Sequence, residues 1–330
     1  MFWQTVVPAL LLASSLGCER PDEIPDNSHE KPRIVATVGM LADMVRAIAG
    51  DRAEVIGLIG LGIDPHLYKP TRTDIRHLAS AAAIFHVGLM LEGRMGDTLE
   101  RLRHSGRPVV AIGESLPTRL ILYPDGEDSH PDPHIWMDVS LWAKCLPAIE
   151  QTLSELDPEG APHFARNRER LEQQLQQLHD YVRSTIATIP PAQRHLVTAH
   201  DAFGYFSRAY DIPVRSVQGL STDSEAGLAD IRELVNFLVQ HNIPAIFVES
   251  SVSPDNLRAV VRGGEARGAT LAIGGELFSD AMGAAGTYEG TYIGMMDHNA
   301  QCIAQALGGQ PHPGGFSAFR ESATPQGATP

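Results

Sequence analysis

The stretch FARNRERLEQQLQQLHDYVRSTIATIP, residues 164–190, decides the architecture. Its apolar residues Leu171, Leu175, Leu178, Val182, Ile186 and Ile189 recur at steps of three and four, the mark of one apolar helix face. Pro190-Pro191 ends the pattern. Begun at Ala161, such a helix reaches about 43 Å at 1.5 Å per residue. Neither a glycine nor a lapse in periodicity interrupts it. The stretch therefore predicts a rigid rod between two parts of the chain, not a flexible hinge.

On either side, short Val- and Ile-rich runs alternate with amphipathic stretches. Before the rod lie IVATV (34–38), EVIGLI (54–59), AIFHV (83–87) and PVVAI (108–112). After it lie HLVTA (195–199), PVRSVQ (213–218), AIFVE (245–249) and TLAIG (270–274). Runs of this kind, bounded by Gly or Pro, suit strands buried on both faces of a parallel sheet. Strand–helix alternation on both sides predicts two α/β lobes, 33–160 and 191–310, joined by the linking helix 161–190. A chain of 330 residues is long enough for each lobe to bury a core of its own. The tail 311–330, rich in Pro, Gly, Ser and Thr, reads as a mobile end.

The N-terminal 18 residues carry no charged side chain, and their apolar run 6–12 is too short to span a bilayer. They read as a secretory signal ending in Ser15-Leu16-Gly17-Cys18, a lipobox-like site at which Cys18 would be acylated. The polar segment 19–32 would be a tether to the folded body. Localisation follows: exported, on the outer face of the cytoplasmic membrane or in the periplasm, with membrane contact through the lipid alone. The formal net charge of −14 opposes phosphate backbones and anionic lipid, which speaks against nucleic acid and makes a cation the natural guest. Cys145 and Cys302 have no second thiol nearby, so neither a CxxC zinc site nor a disulfide framework is expected.

Of 14 histidines, context selects three. His66 lies in Asp64-Pro65-His66-Leu67-Tyr68, after a strand and a Gly-rich turn. His134 lies in a second Asp-Pro-His triplet, Asp132-Pro133-His134. His200 closes the strand run HLVTAH. Asp280, in GGELFSDAMG, follows the run 270–274 in the same way. In α/β sheets ligands bind beyond the carboxyl ends of strands, where these residues are expected. Their spacings of 68, 66 and 80 residues put two in each half, a site closed by bringing two lobes together and not a local finger. Neutral imidazole with carboxylate suits Zn²⁺, Mn²⁺ and related cations, whereas Ca²⁺ prefers an all-oxygen shell. Asp64 and Asp132 either stabilise the turns at Pro65 and Pro133 or orient neighbouring groups, and the turn role is favoured. Glu249, at the end of AIFVE, is a candidate to reach the cleft behind the ligands. The acidic loop 123–134 either collects cations or is simply a solvated loop. No GxxxxGK[ST], HExxH or GxSxG occurs.

Together DPHLYKPTRTD (64–74), DPHIWMD (132–138), VTAHDAFGYFSRAYDI (197–212), IPAIFVESSVSP (243–254) and GGELFSDAMG (274–283) resemble the zinc/manganese-receptor family of ABC-transporter solute-binding proteins. That family is also called the cluster A-I or metal-binding lipoprotein family. The resemblance covers about 33–308. It implies two lobes, each with a mainly parallel sheet flanked by helices, joined by one long backbone helix with a metal site in the cleft between them. It implies His66, His134, His200 and Asp280 as ligands of one Zn²⁺ or Mn²⁺, in the three-His/one-Asp branch. A membrane permease with its cytoplasmic ATPase is the implied partner, the monomer the implied state, and enzymatic activity is not expected. The rivals are an adhesin or surface antigen with a structural metal, and a zinc hydrolase, which would need an open coordination position.

Overall fold

The computed structural model describes residues 1, 31–124, 126, 130–223 and 227–323. The signal, Cys18 and most of the tether lie outside the described residues, as do Glu127 and Asp128 of the acidic loop.

All eight strand runs form strands. β1 (Arg33–Ala36), β2 (Glu54–Gly57), β3 (Ala83–His86) and β4 (Val109–Ala111) make one sheet in the order β2-β1-β3-β4. Every neighbouring pair in it is parallel. After the long helix, β5 (Leu196–Thr198) pairs in parallel with β6 (Val214–Ser216), and β7 (Ala245–Glu249) with β8 (Ala272–Leu277). β5 runs beside β7, so the two pairs continue one another across the second half. Helices such as Gly39–Ala49 and Leu228–His241 cover the sheets, each burying one face.

The helix Ala161–Ala187 spans 27 residues and buries Leu171, Leu175, Leu178, Val182 and Ile186, the face that the periodicity marks. It touches helices of the first half on one side and Tyr292–Ala306 of the second on another. Each half was expected to enclose its own core. Instead the largest apolar cluster runs through both, from Ile34, Leu41 and Trp142 by way of Leu178 to Tyr205, Met295 and Ile303. The physical reason is the spine itself: its apolar stripe is wide enough for elements of both halves to pack on it. Smaller clusters lie under Leu228–His241 and between β1, β3 and Gly96–His104.

The tail differs from expectation as well. Residues Gly315–Ala323 form a helix, with Phe316 buried and its ring 5.6 Å from Tyr181 of the spine. Buried Asp297 accepts from Tyr181 Oη (2.6 Å), Tyr288 Oη (2.9 Å), Gln301 Nε2 (2.7 Å) and Phe316 N (3.1 Å). One carboxylate thus binds spine, second half and terminal helix together. Gly314 and Gly315, with φ of 81° and 66°, make the turn into that helix. His179 of the spine is buried beside Tyr210 Oη at 3.3 Å.

Candidate metal centre

The structure brings His66, His134, His200 and Asp280 together, with one ligand atom from each lying within 4.8 Å of all the others. All four are buried. His200 and Asp280 stand two and three residues beyond β5 and β7's partner β8, as strand-end logic requires. His66 lies further out, in the turn after β2. His134 departs from the rule: it precedes the short turn Ile135–Met137, well after β4. Its position is set by tertiary packing and not by a strand end.

Local chemistry explains each turn. Asp64 Oδ1 accepts from His66 N at 2.8 Å, and Asp132 Oδ1 from His134 N at 2.9 Å, so both aspartates hold their Pro-His turns. Beyond His66, Thr71 and Asp74 form a reciprocal capping box that starts the helix Arg72–Ser80. Asp132 also receives His134 Nδ1 at 2.8 Å, so it orients the ring as well as the turn. Glu249 does the same for His200, taking its backbone N at 2.8 Å and Nδ1 at 2.6 Å. These carboxylates place the ring protons on Nδ1 and leave each Nε2 lone pair for the centre. Gly204 is required by this packing, since a Cβ there would lie 2.8 Å from Asp132 Oδ2.

At the centre, His134 Nε2 is 3.3 Å from both His66 Nε2 and His200 Nε2. Lone pairs meeting at that distance repel, as would two N–H groups. Tetrahedral donors at about 2.0–2.1 Å from a cation stand about 3.3 Å apart, so an ion between them resolves the conflict. Asp280 sharpens the point. Its oxygens approach His134 Nε2 (3.4 Å) and His200 Nε2 (3.2 Å), yet neither oxygen has a hydrogen-bond partner, and the residue is 1% exposed. A buried carboxylate without donors is strongly disfavoured unless a cation faces it.

Electrostatics agree. Burial works against a charged His134, but Asp132 and Asp280 prevail and push its pKa up to about 9. Burial likewise opposes charge on His200, and Glu249 and Asp280 raise it well above the usual imidazole range. Asp280 is held well below the carboxylate range, because the facing His200 and His134 outweigh its burial. His66 moves down, through burial and its two imidazole neighbours. A cation entering the centre would therefore compete with protons for His134 and His200, and that competition extends above the reference imidazole value of about 6.5.

Supports invisible in the motifs tie the halves together. Trp136 Nε1 donates to Ser279 O at 2.8 Å, next to Asp280, and Tyr292 Oη donates to Trp136 O at 2.6 Å. Asn299 grips both backbone groups of Phe278, at 2.9 and 2.7 Å, fixing the approach to Asp280. Tyr205 Oη donates to Asp132 O at 2.9 Å. Trp136 sits inside a quoted motif, but nothing in its sequence context names Ser279 as its partner.

Two parallel-sheet halves on one long helix, with a buried His₃Asp cluster between them, define a metal-binding receptor of the solute-binding type. The chain matches, over residues 34–306, the family described as "ZnuA: Zinc-uptake complex component A periplasmic", and it belongs to that zinc/manganese-receptor family of solute-binding proteins. It is 47% identical over 279 residues to the zinc-binding protein TroA of Treponema pallidum (strain Nichols), covering 84% of this chain and 89% of that one. It is 41% identical over 306 residues to the manganese-binding lipoprotein MntA of Bacillus subtilis (strain 168), covering 92% and 99%. The solved structure of periplasmic zinc-binding protein TroA from Treponema pallidum superposes with a TM-score of 0.82 at 46% identity, over 84% of this chain and 99% of that one.

Proposed function

We propose that this chain is the extracytoplasmic receptor of an ABC importer, which captures one Zn²⁺ or Mn²⁺ and delivers it to a membrane permease driven by a cytoplasmic ATPase. The observation that carries the reading is the buried Asp280 carboxylate, without a hydrogen-bond donor, facing three Nε2 atoms. In this reading His66, His134, His200 and Asp280 hold the ion, and Asp132 and Glu249 orient and enrich two of the imidazoles. Four protein donors leave no coordination position for an activated water, which argues for carriage over hydrolysis. The receptor acts as a monomer, exported by its N-terminal signal and anchored through acylated Cys18. Among the described residues no helix is long and apolar enough to cross a membrane, consistent with contact through an anchor.

The donor set accepts either metal. Zinc binds most nitrogen–oxygen sites more tightly than manganese, so affinity in vitro ranks the two without naming the cargo. Calorimetric titration of metal-stripped protein with Zn²⁺ and Mn²⁺ separately, with His200→Ala as control, tests the proposal. Reversible one-to-one binding that the variant loses is expected. Tight metal that does not exchange would instead indicate a structural ion.

A further inference from the structure

The four donors are not held alike. His134 and His200 rest on buried hydrogen bonds to Asp132 and Glu249, and Asp280 is placed by the bonds of Trp136 and Asn299 to its neighbours Ser279 and Phe278. His66 belongs to the loop 61–67, which exposes Leu61 (57%), Ile63 (40%) and Leu67 (37%) and so gains little from the core. What fastens this loop to the second half is polar. Thr222 Oγ1 donates to Asp64 Oδ2, while the other oxygen of Asp64 holds His66 N. One carboxylate thus links the second half to the backbone of a metal-facing histidine. One residue on, Asp223 Oδ1 meets Arg94 Nη2 at 2.5 Å, with both side chains about half exposed.

The segment 219–223 that supplies Thr222 and Asp223 is rooted beside His200. Gln218 N donates to Ala199 O at 2.9 Å, and Asp201 N to Gly219 O at 3.2 Å. Its Arg94–Asp223 bridge joins two residues that line a cavity of about 560 Å³, together with His66, Met90, Pro133 and Leu220 among others. Of the four clustered residues, His66 lines this cavity.

We infer that segment 219–223 is a latch that sets the rate of metal exchange through Asp64, a positioning residue for His66. This rests on the receptor reading above. With Thr222 and Asp223 engaged, His66 stays on the ion. With both released, the loop 61–67 lifts with His66, and the ion remains on three donors open to water and to a competing ligand. The latch touches no metal-facing atom, so it alters exchange rate without altering donor set or stoichiometry.

The test is a chelator chase on Zn²⁺-loaded full-length protein, followed by stopped flow. Thr222→Val, which deletes the hydroxyl bonded to the Asp64 carboxylate, is expected to release zinc about tenfold faster. Asp223→Asn, at a half-exposed pair, is expected to release it about three- to fivefold faster. The double exchange R94D/D223R is expected to return the rate towards wild type, showing that the ion pair itself is what slows release. In a His66→Ala background Thr222→Val is expected to add nothing, because its route to the ion is gone. Wild-type release rates in both single variants, with one-to-one binding intact, would overturn the latch and leave the receptor reading standing. Failure of the wild type to bind Zn²⁺ would remove the receptor reading and the latch with it.

Discussion

The floor and the mouth of the metal centre are built from different materials. At the floor, His134, His200 and Asp280 are buried and supported by carboxylates, an indole and an amide that are themselves buried. At the mouth, His66 is carried by a loop with exposed apolar side chains and fastened by contacts that water reaches. A buried hydrogen bond resists loss because the abandoned group has no water to turn to, whereas an exposed ion pair is readily exchanged for solvation. A receptor must both retain and surrender its ion. On the receptor reading and the latch inferred above, the two demands fall on different residues.

The comparison can be broken most directly by removing one donor at a time. His200→Ala or Asp280→Ala should abolish measurable one-to-one binding in calorimetry. His66→Ala should weaken binding yet leave it measurable, because the floor survives. Equal losses for all three would erase the distinction between floor and mouth.

Acidity gives the next largest effect. His134 must be neutral to bind metal, and the facing Asp132 and Asp280 push its pKa up to about 9 against its burial. Affinity should therefore climb from pH 7 towards 9, by about tenfold per pH unit for each proton displaced. The stability of the metal-free protein should move oppositely on this account. A pKa raised in the folded state stabilises fully below about 6.5, and that contribution is lost as pH rises through about 9. Competition titrations across this range, with denaturant melts of the stripped protein beside them, check both signs.

Smaller effects come from the supports. Glu249→Gln keeps the shape but removes the charge facing His200 Nδ1, and should lower metal affinity about 10–100-fold. Trp136→Phe leaves buried Ser279 O without its donor and should cost about 1–3 kcal/mol of stability, measurable in the stripped protein by denaturant unfolding. If that loss appeared only with metal bound, the floor would be assembled by the ion and not before it.

The four clustered residues His66, His134, His200 and Asp280 were legible because their signals are local: two Asp-Pro-His turns and two strand ends that can be counted along the chain. The eight strands and the spine were legible for the same reason, since periodicity is written in neighbouring residues. What escaped reading is tertiary. Trp136, Tyr292, Asn299 and Thr222 matter through partners 21 to 158 residues away, many of them backbone atoms, which no side-chain pattern encodes. Asp132 was assigned to its turn, and its second task at His134 Nδ1 depends on ring placement. Periodicity along the spine tells which side chains are buried but not that two halves share them. In the tail, Pro, Gly and Ser outweighed the pair Phe316 and Phe319, whose spacing of three is the only trace of the terminal helix.

The shared core has one further consequence, which concerns cooperativity of unfolding. Halves with separate interiors would melt separately, and a ligand between them would stabilise only their docking. Here Trp142, Leu178, Tyr205 and Met295 belong to one cluster, so neither half has a complete interior to fall back on. Unfolding should be a single transition, and bound metal should raise it as a whole, by an amount fixed by metal concentration over dissociation constant. Cargo occupancy then becomes a property of the entire fold: the loaded receptor is the long-lived one, and the emptied one is the form first exposed to proteolysis.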